Sequence, residues 1–269
     1  MKNYRVPTLT IAGSDSSGGA GVQADLKTFS AIGTYGMSVI TAVTAQNTKG
    51  VTAVEELSGS IIRKQLKAVF EDIEPAAVKI GMVSSAKIIL DIVESLRKYN
   101  PKFLVVDPVM ISKSGYSLLK PEAKENLIKY LIPMAYLVTP NVPEAEEITG
   151  IKINSEADMK IVGEKILELG PKFVLMKGGH LEGDAVDVLM GESVFEVFKS
   201  KRLNRKNTHG TGCTISSAIT AYLALGYDIK EAVALSKKYI TEAIEHSFDI
   251  GHGVGPVHHF YKFEGLNIQ

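Results

Sequence analysis

Short apolar runs alternate with amphipathic stretches along most of the chain. Leu9–Gly13, Met37–Ala45, Ala77–Gly81, Phe103–Asp107, Tyr136–Thr139 and Phe173–Lys177 read as strands, since apolar runs of this length, bounded by turn residues, suit strands buried on both faces. Between them the apolar positions recur every three or four residues. Ser60–Ile73 puts Ile61, Ile62, Leu66, Val69 and Phe70 on one helical face. Further helices are predicted to end near Ile32, to run from Ser85 to Tyr99, and to run from Pro121 to Leu131 with proline in the first turn. Asp184–Lys201 alternates apolar and polar residues about Gly191-Glu192, which predicts an antiparallel hairpin at a sheet edge. Helices over Thr211–Leu225 and Ile229–His246 precede a glycine-rich tail, Gly251 to Phe260. This order predicts an α/β protein with a mostly parallel sheet between helices. No linker, charge block or internal repeat interrupts it, so a single domain over residues 1–269 is expected.

Charge narrows the function classes. Thirty basic and thirty acidic residues cancel, which argues against nucleic acid or a membrane surface as a partner held by bulk charge. No apolar run is long enough to cross a bilayer, and the N-terminus has no apolar signal core. The lone cysteine, Cys213, cannot form an internal disulfide, which fits a reducing cytoplasm.

The unusual polar residues share a location. Gly13, Gln46, Met82, Asp107, Asn141 and Lys177 each fall at or just past the C-terminal end of a predicted strand, the edge where open parallel sheets bind ligands. Asn207–Cys213 is a glycine loop that opens an apolar helix, so Gly210, Thr211 and Gly212 can offer unpaired N–H groups to an anion, or simply start the helix sharply. Cys213 is either buried filler or a thiol activated by the helix N-terminus. Lys177-Gly178-Gly179 puts a cation beside bare backbone, suited to phosphate, although a strand-end lysine is often only solvated. Asp107 and Glu144 are candidates for a divalent cation. Asp107 before Pro108 could instead shape a turn, and Asn141-Val-Pro-Glu144 has capping-box spacing. Asp25, early in a helix, reads equally as a charge complementing the helix dipole, and His209 as a phosphate contact or a loop brace. The tail histidines show no convincing metal spacing.

Two nucleotide motifs are excluded. Gly19-Ala-Gly21-Val-Gln-Ala24 fits the dinucleotide fingerprint, but no Asp or Glu occurs between Leu26 and Val54 to hold a ribose. Neither glycine loop ends in the Gly-Lys-Ser/Thr of a P-loop.

The ordered set Ile11–Asp25, Ala45–Thr48, Asp107–Met110, Thr139–Glu144, Met176–His180 and Asn207–Cys213 resembles the hydroxymethylpyrimidine/phosphomethylpyrimidine kinases of thiamine biosynthesis, in the ribokinase-like superfamily. Ser16 stands where many relatives have proline. The resemblance implies a three-layer α/β/α ribokinase-like fold, ATP and Mg²⁺, a homodimer, and two successive phosphoryl transfers. It leaves open whether a monovalent cation takes part. By motif match it implies that Gln46 and Asp25 read the pyrimidine edge while Gly13, Met82 and Val109 pack around the ring. Lys177, Asn141 and Thr208 would serve ATP with Gly210 and Gly212, Asp107 and Glu144 the metal. Gly210, Thr211 and Gly212 would form the anion hole beside Cys213, a candidate base of lowered pKa for the first transfer. The second transfer acts on an anionic monophosphate and needs no base. Two rival readings stay open: a pyridoxal or pyridoxine kinase on the same motifs, and a non-catalytic pyrimidine or nucleotide sensor.

Overall fold

The computed structural model describes residues 5–110, 119–179, 181 and 183–263. Nine strands, among the described residues, form one sheet in the order β3-β2-β1-β4-β5-β6-β7-β8-β9. They are β1 (Pro7–Asp15), β2 (Tyr35–Asn47), β3 (Gly50–Glu56), β4 (Ala77–Ile80), β5 (Leu104–Val106), β6 (Leu137–Val138), β7 (Phe173–Lys177), β8 (Ala185–Gly191) and β9 (Val194–Ser200). The six strands from β2 to β7 in that order, leaving out β3, pair in parallel. Both edges turn antiparallel: β8–β9 as expected, and β2–β3, which the pattern did not predict. β3 escaped because it is a polar-rich strand with only intermediate or exposed positions, so no apolar run announces it.

The helices are α1 (Gly21–Ile32), α2 (Gly59–Phe70), α3 (Ala86–Tyr99), α4 (Pro121–Asn126), α5 (Val142–Thr149), α6 (Glu156–Leu167), α7 (Thr211–Ala224) and α8 (Ile229–Glu245). α6 was likewise not predicted, although Ser155 caps it through the Asp158 N–H. The predicted Pro121–Leu131 helix is α4 followed by a π-helical stretch, Leu127–Leu131.

Strand alternation sorts the helices into two layers. Leu9, Ile11, Val78, Ile80, Leu104 and Val106 pack on one side with apolar residues of α2 and α3, and farther along Val174 and Met176 meet α5 and α6. Val105, Leu137, Phe173 and Leu175 face the opposite side, against α7 and α8, and α1 packs beside α7. The result is the α/β/α sandwich that the resemblance implied.

One strand position carries a fully buried lysine. Lys79 lies between Val78 and Ile80, so its side chain points into the α1/α7 layer, where it is fully buried. There its Nζ donates to both oxygens of Asp25 at 2.9 Å. Asp25 is equally buried and also accepts from Thr10 Oγ1 at 2.6 Å and Ser217 Oγ at 2.5 Å. Burial by itself would depress the Lys79 pKa, but Asp25 holds it above the ordinary lysine range. A dry ion pair of this kind is costly to break from one side only. Lys79→Met should therefore lose about 3–5 kcal/mol by leaving Asp25 unpaired. Asp25→Asn combined with Lys79→Met should lose clearly less than the two single changes added together. Urea denaturation of the three variants checks this, and strict additivity would mean that the two charges do not support each other.

Candidate active site

The carboxyl ends of the central strands bring most of the chosen residues to one edge. At the foot of α7, Gly210 is the N-cap with φ 80°, a left-handed conformation that suits glycine. A Cβ there would also lie 1.8 Å from the Gly19 carbonyl oxygen, so this loop and the Gly19 loop touch through backbone. Thr211 Oγ1 donates to the Thr208 carbonyl at 2.7 Å and braces the turn. The N–H groups of Thr211, Gly212 and Cys213 belong to the first turn of α7, where no carbonyl of the preceding turn can be an α-helical partner. Thr211 N–H has only a long contact to the Thr208 carbonyl, 3.4 Å.

Lys177, the last residue of β7, faces this turn. A Cβ on Gly212 would sit 3.5 Å from Lys177 Nζ and 3.9 Å from Asp107 Oδ2, so only a bare backbone leaves that space open. Lys177 Nζ donates to Asp107 Oδ1 at 2.8 Å. Asp107 also accepts from Thr139 Oγ1 at 3.0 Å and from Ser216 Oγ at 3.3 Å, so it is far more than a turn former. Burial alone would lower the Lys177 pKa, but Asp107 and Glu144 hold it above the ordinary value. The cation is kept charged at the mouth of an anion loop.

Asn141 and Glu144 do form the capping box. Asn141 Oδ1 accepts from the Glu144 N–H at 2.9 Å, and Glu144 Oε2 from the Asn141 N–H at 2.8 Å. A bridge between Asn141 and Lys177 sets this cap beside the lysine. Burial pushes Glu144 up to about 7, opposed by Lys177 and reinforced by Asp107. Its cap role and its place in the carboxylate group coexist.

On the other side of the crevice, Gly13 and Met82 adjoin: a Cβ on Gly13 would meet Met82 Cε at 2.5 Å. Gln46 Nε2 stands 3.3 Å from His209 Nε2, which is 2.9 Å from Asp15 Oδ2. Asp15 in turn accepts from the N–H groups of Ser17, Gly19 and Ala20. Burial would raise the Asp15 pKa, but the hydrogen bonds from His209 and Ser17 bring it down to about 2. The tail closes over the same loop: His209 N–H donates to the Gly255 carbonyl, and Gly255 N–H to Asn207 Oδ1.

Several expectations need correction. Asp25 does not face the crevice; both its oxygens are spent on Lys79, Thr10 and Ser217 in the core. The Cys213 thiol is not lowered. Burial pushes it up to about 11; Lys79 pulls it down, while Asp25 and Asp107 push it further up. Thr208 supports Thr211 through its carbonyl, with no side-chain bond among the described contacts. Val109 is half-buried beside Asp107, its N–H bonded to the Asp107 carbonyl at 2.8 Å, and no described contact joins it to Gln46. His180 of the Lys177 motif lies outside the described residues. Lys79 and Asp15 were missed. A lysine in an apolar strand carries no signal until its facing carboxylate is known, and Asp15 sat unremarked inside a glycine motif.

The pH consequence at Glu144 has a definite sign. Its carboxyl titrates near 7 in the fold, whereas an ordinary Glu titrates near 4.3. The fold therefore holds more protons than the unfolded chain between those values, and this group costs stability as pH rises through that window. Glu144→Gln keeps an acceptor for the cap and removes the charge. It should gain on the order of 1 kcal/mol at pH 8 and little at pH 5, as read by urea melts at the two values.

Comparison with known proteins identifies the family. The family described as phosphomethylpyrimidine kinase matches residues 15–258. A hydroxymethylpyrimidine/phosphomethylpyrimidine kinase of Rhizobium meliloti is 51% identical over 259 residues, covering 95% of this chain and 97% of that protein. A thiamine biosynthesis bifunctional protein of Geobacter sulfurreducens is 49% identical over 98% of this chain, which spans only 55% of that longer protein. The crystal structure of phosphomethylpyrimidine kinase from Clostridium difficile 630 is 75% identical, with a TM-score of 0.81 over 89% of this chain and 100% of its own. The pyridoxal kinase of Staphylococcus aureus in complex with AMP-PCP and pyridoxal is 38% identical, with a TM-score of 0.89 over 97% and 96%. With residues 15–258 matched and relatives near half identity along the whole chain, the protein belongs to the phosphomethylpyrimidine kinase family.

Proposed function

We propose that the chain uses ATP to phosphorylate the hydroxymethyl group of 4-amino-5-hydroxymethyl-2-methylpyrimidine, and then the resulting monophosphate to the diphosphate, in thiamine diphosphate biosynthesis. One observation carries this reading: Lys177 faces the α7 N-terminus across the space that Gly212 leaves open. Phosphoryl transfer asks for positioning and charge neutralisation more than covalent chemistry. The N–H groups of Thr211, Gly212 and Cys213 supply fixed dipoles to a transferring phosphoryl group, and Lys177 supplies a full charge. Asn141 orders the loop beside Lys177 through its cap. Gln46 reads the pyrimidine edge, and Gly13 with Met82 offers a flat apolar contact for the ring.

The donor set suits Mg²⁺. Asp107 and Glu144 are two hard oxygen donors beside Lys177, and among the described residues no group of three His, Cys, Asp or Glu could form a closed cage. Mg²⁺ beside phosphates needs one or two carboxylates, not a cage. Bound there, it would neutralise charge on ATP. Cys213 enters this reading as a protonated thiol next to the anion hole. Its sulfur accepts a backbone hydrogen bond from Gly21, and it can act as a base only after bound groups change its surroundings. The same reading takes the chain as one domain that acts as a homodimer.

Two variants test this. Gly212→Ala should fold normally, because its new methyl meets only ordinary contacts at 3.5 and 3.9 Å. It should nevertheless cut kcat/KM for the pyrimidine alcohol by about 10²-fold, because the methyl displaces the phosphoryl group from N–H donors that the variant keeps. Wild-type activity in a coupled ADP-release assay would remove the anion hole from the mechanism. Cys213→Ala should slow the first transfer and leave the second nearly unchanged, since only the first has a hydroxyl to deprotonate. Equal losses in both would assign Cys213 to packing. In the same assay, pyridoxal turning over faster than the pyrimidine would favour the rival kinase reading, to which the pyridoxal kinase likeness lends its weight.

A further inference from the structure

The contact between Gln46 and His209 contains a mismatch that points to substrate selection. Asp15 Oδ2 also accepts the N–H groups of Gly19 and Ala20, so it is an ionised acceptor with no proton to give. His209 Nε2 lies 2.9 Å from that oxygen, so Nε2 must carry a proton whether the imidazole is neutral or charged. That proton removes the lone pair that the Gln46 amide nitrogen, 3.3 Å away, would need. Two N–H groups cannot bond each other.

Turning the amide by half a turn removes the clash between the two N–H groups. Gln46 Oε1 then shares the single His209 Nε2–H with Asp15 Oδ2 as the weaker arm of a bifurcated hydrogen bond. The amide nitrogen takes the place of Oε1, 3.3 Å from Thr44 Oγ1. Thr44 spends its own proton on the Ser14 carbonyl at 2.8 Å and keeps lone pairs to accept with. After those bonds the amide keeps one lone pair on Oε1 and one N–H, side by side. That pair matches a ring nitrogen next to an exocyclic amine and mismatches a ring N–H next to a carbonyl.

We propose that the Asp15–His209 pair is a specificity-determining device that fixes the direction of the Gln46 amide, so that the site takes a 4-aminopyrimidine and rejects its 4-oxo counterpart. His209 acts through Gln46 and is a positioning residue. The same imidazole adjoins Gly210 of the anion loop, and the tail clamps its backbone through Gly255 and Val257. Ring recognition and phosphate site thus share one rigid hinge point. The inference rests on the proposed pyrimidine kinase reading and adds to it the reason for one ring over its 4-oxo counterpart.

The test compares kcat/KM for 4-amino-5-hydroxymethyl-2-methylpyrimidine and for its 4-oxo analogue. The wild-type protein should prefer the amine by about 10³-fold or more, since a site built for one hydrogen-bond pattern strongly rejects its reverse. His209→Met removes the N–H while keeping length, and should shrink that preference by at least about 10-fold. His209→Gln restores an N–H near the Nε2 position and should recover it. A preference unchanged in His209→Met, with only kcat reduced, would make His209 a loop brace and overturn the proposal. Long-range proton–nitrogen NMR on the wild-type protein gives a readout independent of folding variants and turnover: Nε2 should be protonated, and a His209 protonated on Nδ1 alone would overturn the idea. A wild-type protein that phosphorylates neither pyrimidine but turns over pyridoxal would sink the pyrimidine kinase assignment, and the NMR result would still decide the tautomer.

Discussion

A single dry ion pair holds the region on which the site is built. Lys79 of β4 and Asp25 of α1 meet with no exposure to water, and Thr10 of β1 and Ser217 of α7 donate to the same carboxylate. Four elements from distant parts of the chain therefore share one acceptor. Ser217 stands four residues after Cys213, on the same face of α7, so the depth and rotation of the anion loop are set from below by that bond. Apolar packing alone would hold α7 against the sheet while tolerating small slips, because dispersion and hydrophobic burial have little direction. A buried carboxylate that accepts four hydrogen bonds from three donors does not tolerate them. The expense of burying two charges becomes intelligible where a helix N-terminus must be placed to a fraction of an ångström.

Charge at the mouth of the crevice follows a second logic. Asp107 and Glu144 flank Lys177, and the lysine stays protonated because of them. The group is then one cation with two carboxylates, one of them, Glu144, titrating near neutrality. Such a cluster can accept polyphosphate only if further positive charge arrives, and the α7 N–H groups provide only part of it. On the proposed kinase reading, a divalent ion carried in with the nucleotide would supply the balance between these two carboxylates. Cys213 fits the same electrostatics. Buried, and with carboxylates at Asp25 and Asp107 acting on it as well, the thiol stays protonated despite its helix position, and the simple analogy to activated cysteines at helix starts fails.

The sequence reveals this fold where a physical rule acts locally. The parallel strands were legible because burial on both faces makes them apolar throughout, and Phe173–Lys177 was read to the residue. The loop at Gly210 was legible because a left-handed N-cap leaves glycine behind. Gln46, Asp107, Asn141 and Lys177 were legible together, as polar residues at the ends of apolar runs. What stayed hidden depended on partners far along the chain. β3 is held by pairing with β2 and needs no apolar content of its own. Asp25 looked like a ligand-facing charge because its partner, Lys79, lies 54 residues away in a strand that periodicity cannot orient. The thiol shift at Cys213 was misjudged for the same reason: helix position is visible locally, whereas the burial of the thiol and the carboxylates around it are not.

The tail illustrates how such hidden partnerships become function. Gly251–Phe260 reads as unassigned in sequence, with three histidines of no metal spacing. In the fold, Gly253 and Val254 bond Thr48 at the β2–β3 turn, while Gly255 and Val257 bond Asn207 and His209. A Cβ on Gly253 would lie 1.8 Å from the Thr48 carbonyl oxygen, so the tail threads there as bare backbone. One end of this segment thus grips the turn just past Gln46, and the other grips the loop before Gly210. The reacting hydroxyl and the transferring phosphoryl group must meet within a near-attack distance. The elements that hold them are separated by more than half the sequence, and the sheet alone fixes only their strand ends. A strap bonded to both sides, together with the Asp15–His209 contact, converts two loops into one surface. That coupling accounts for the place of the Gly253–Val257 segment between the two loops.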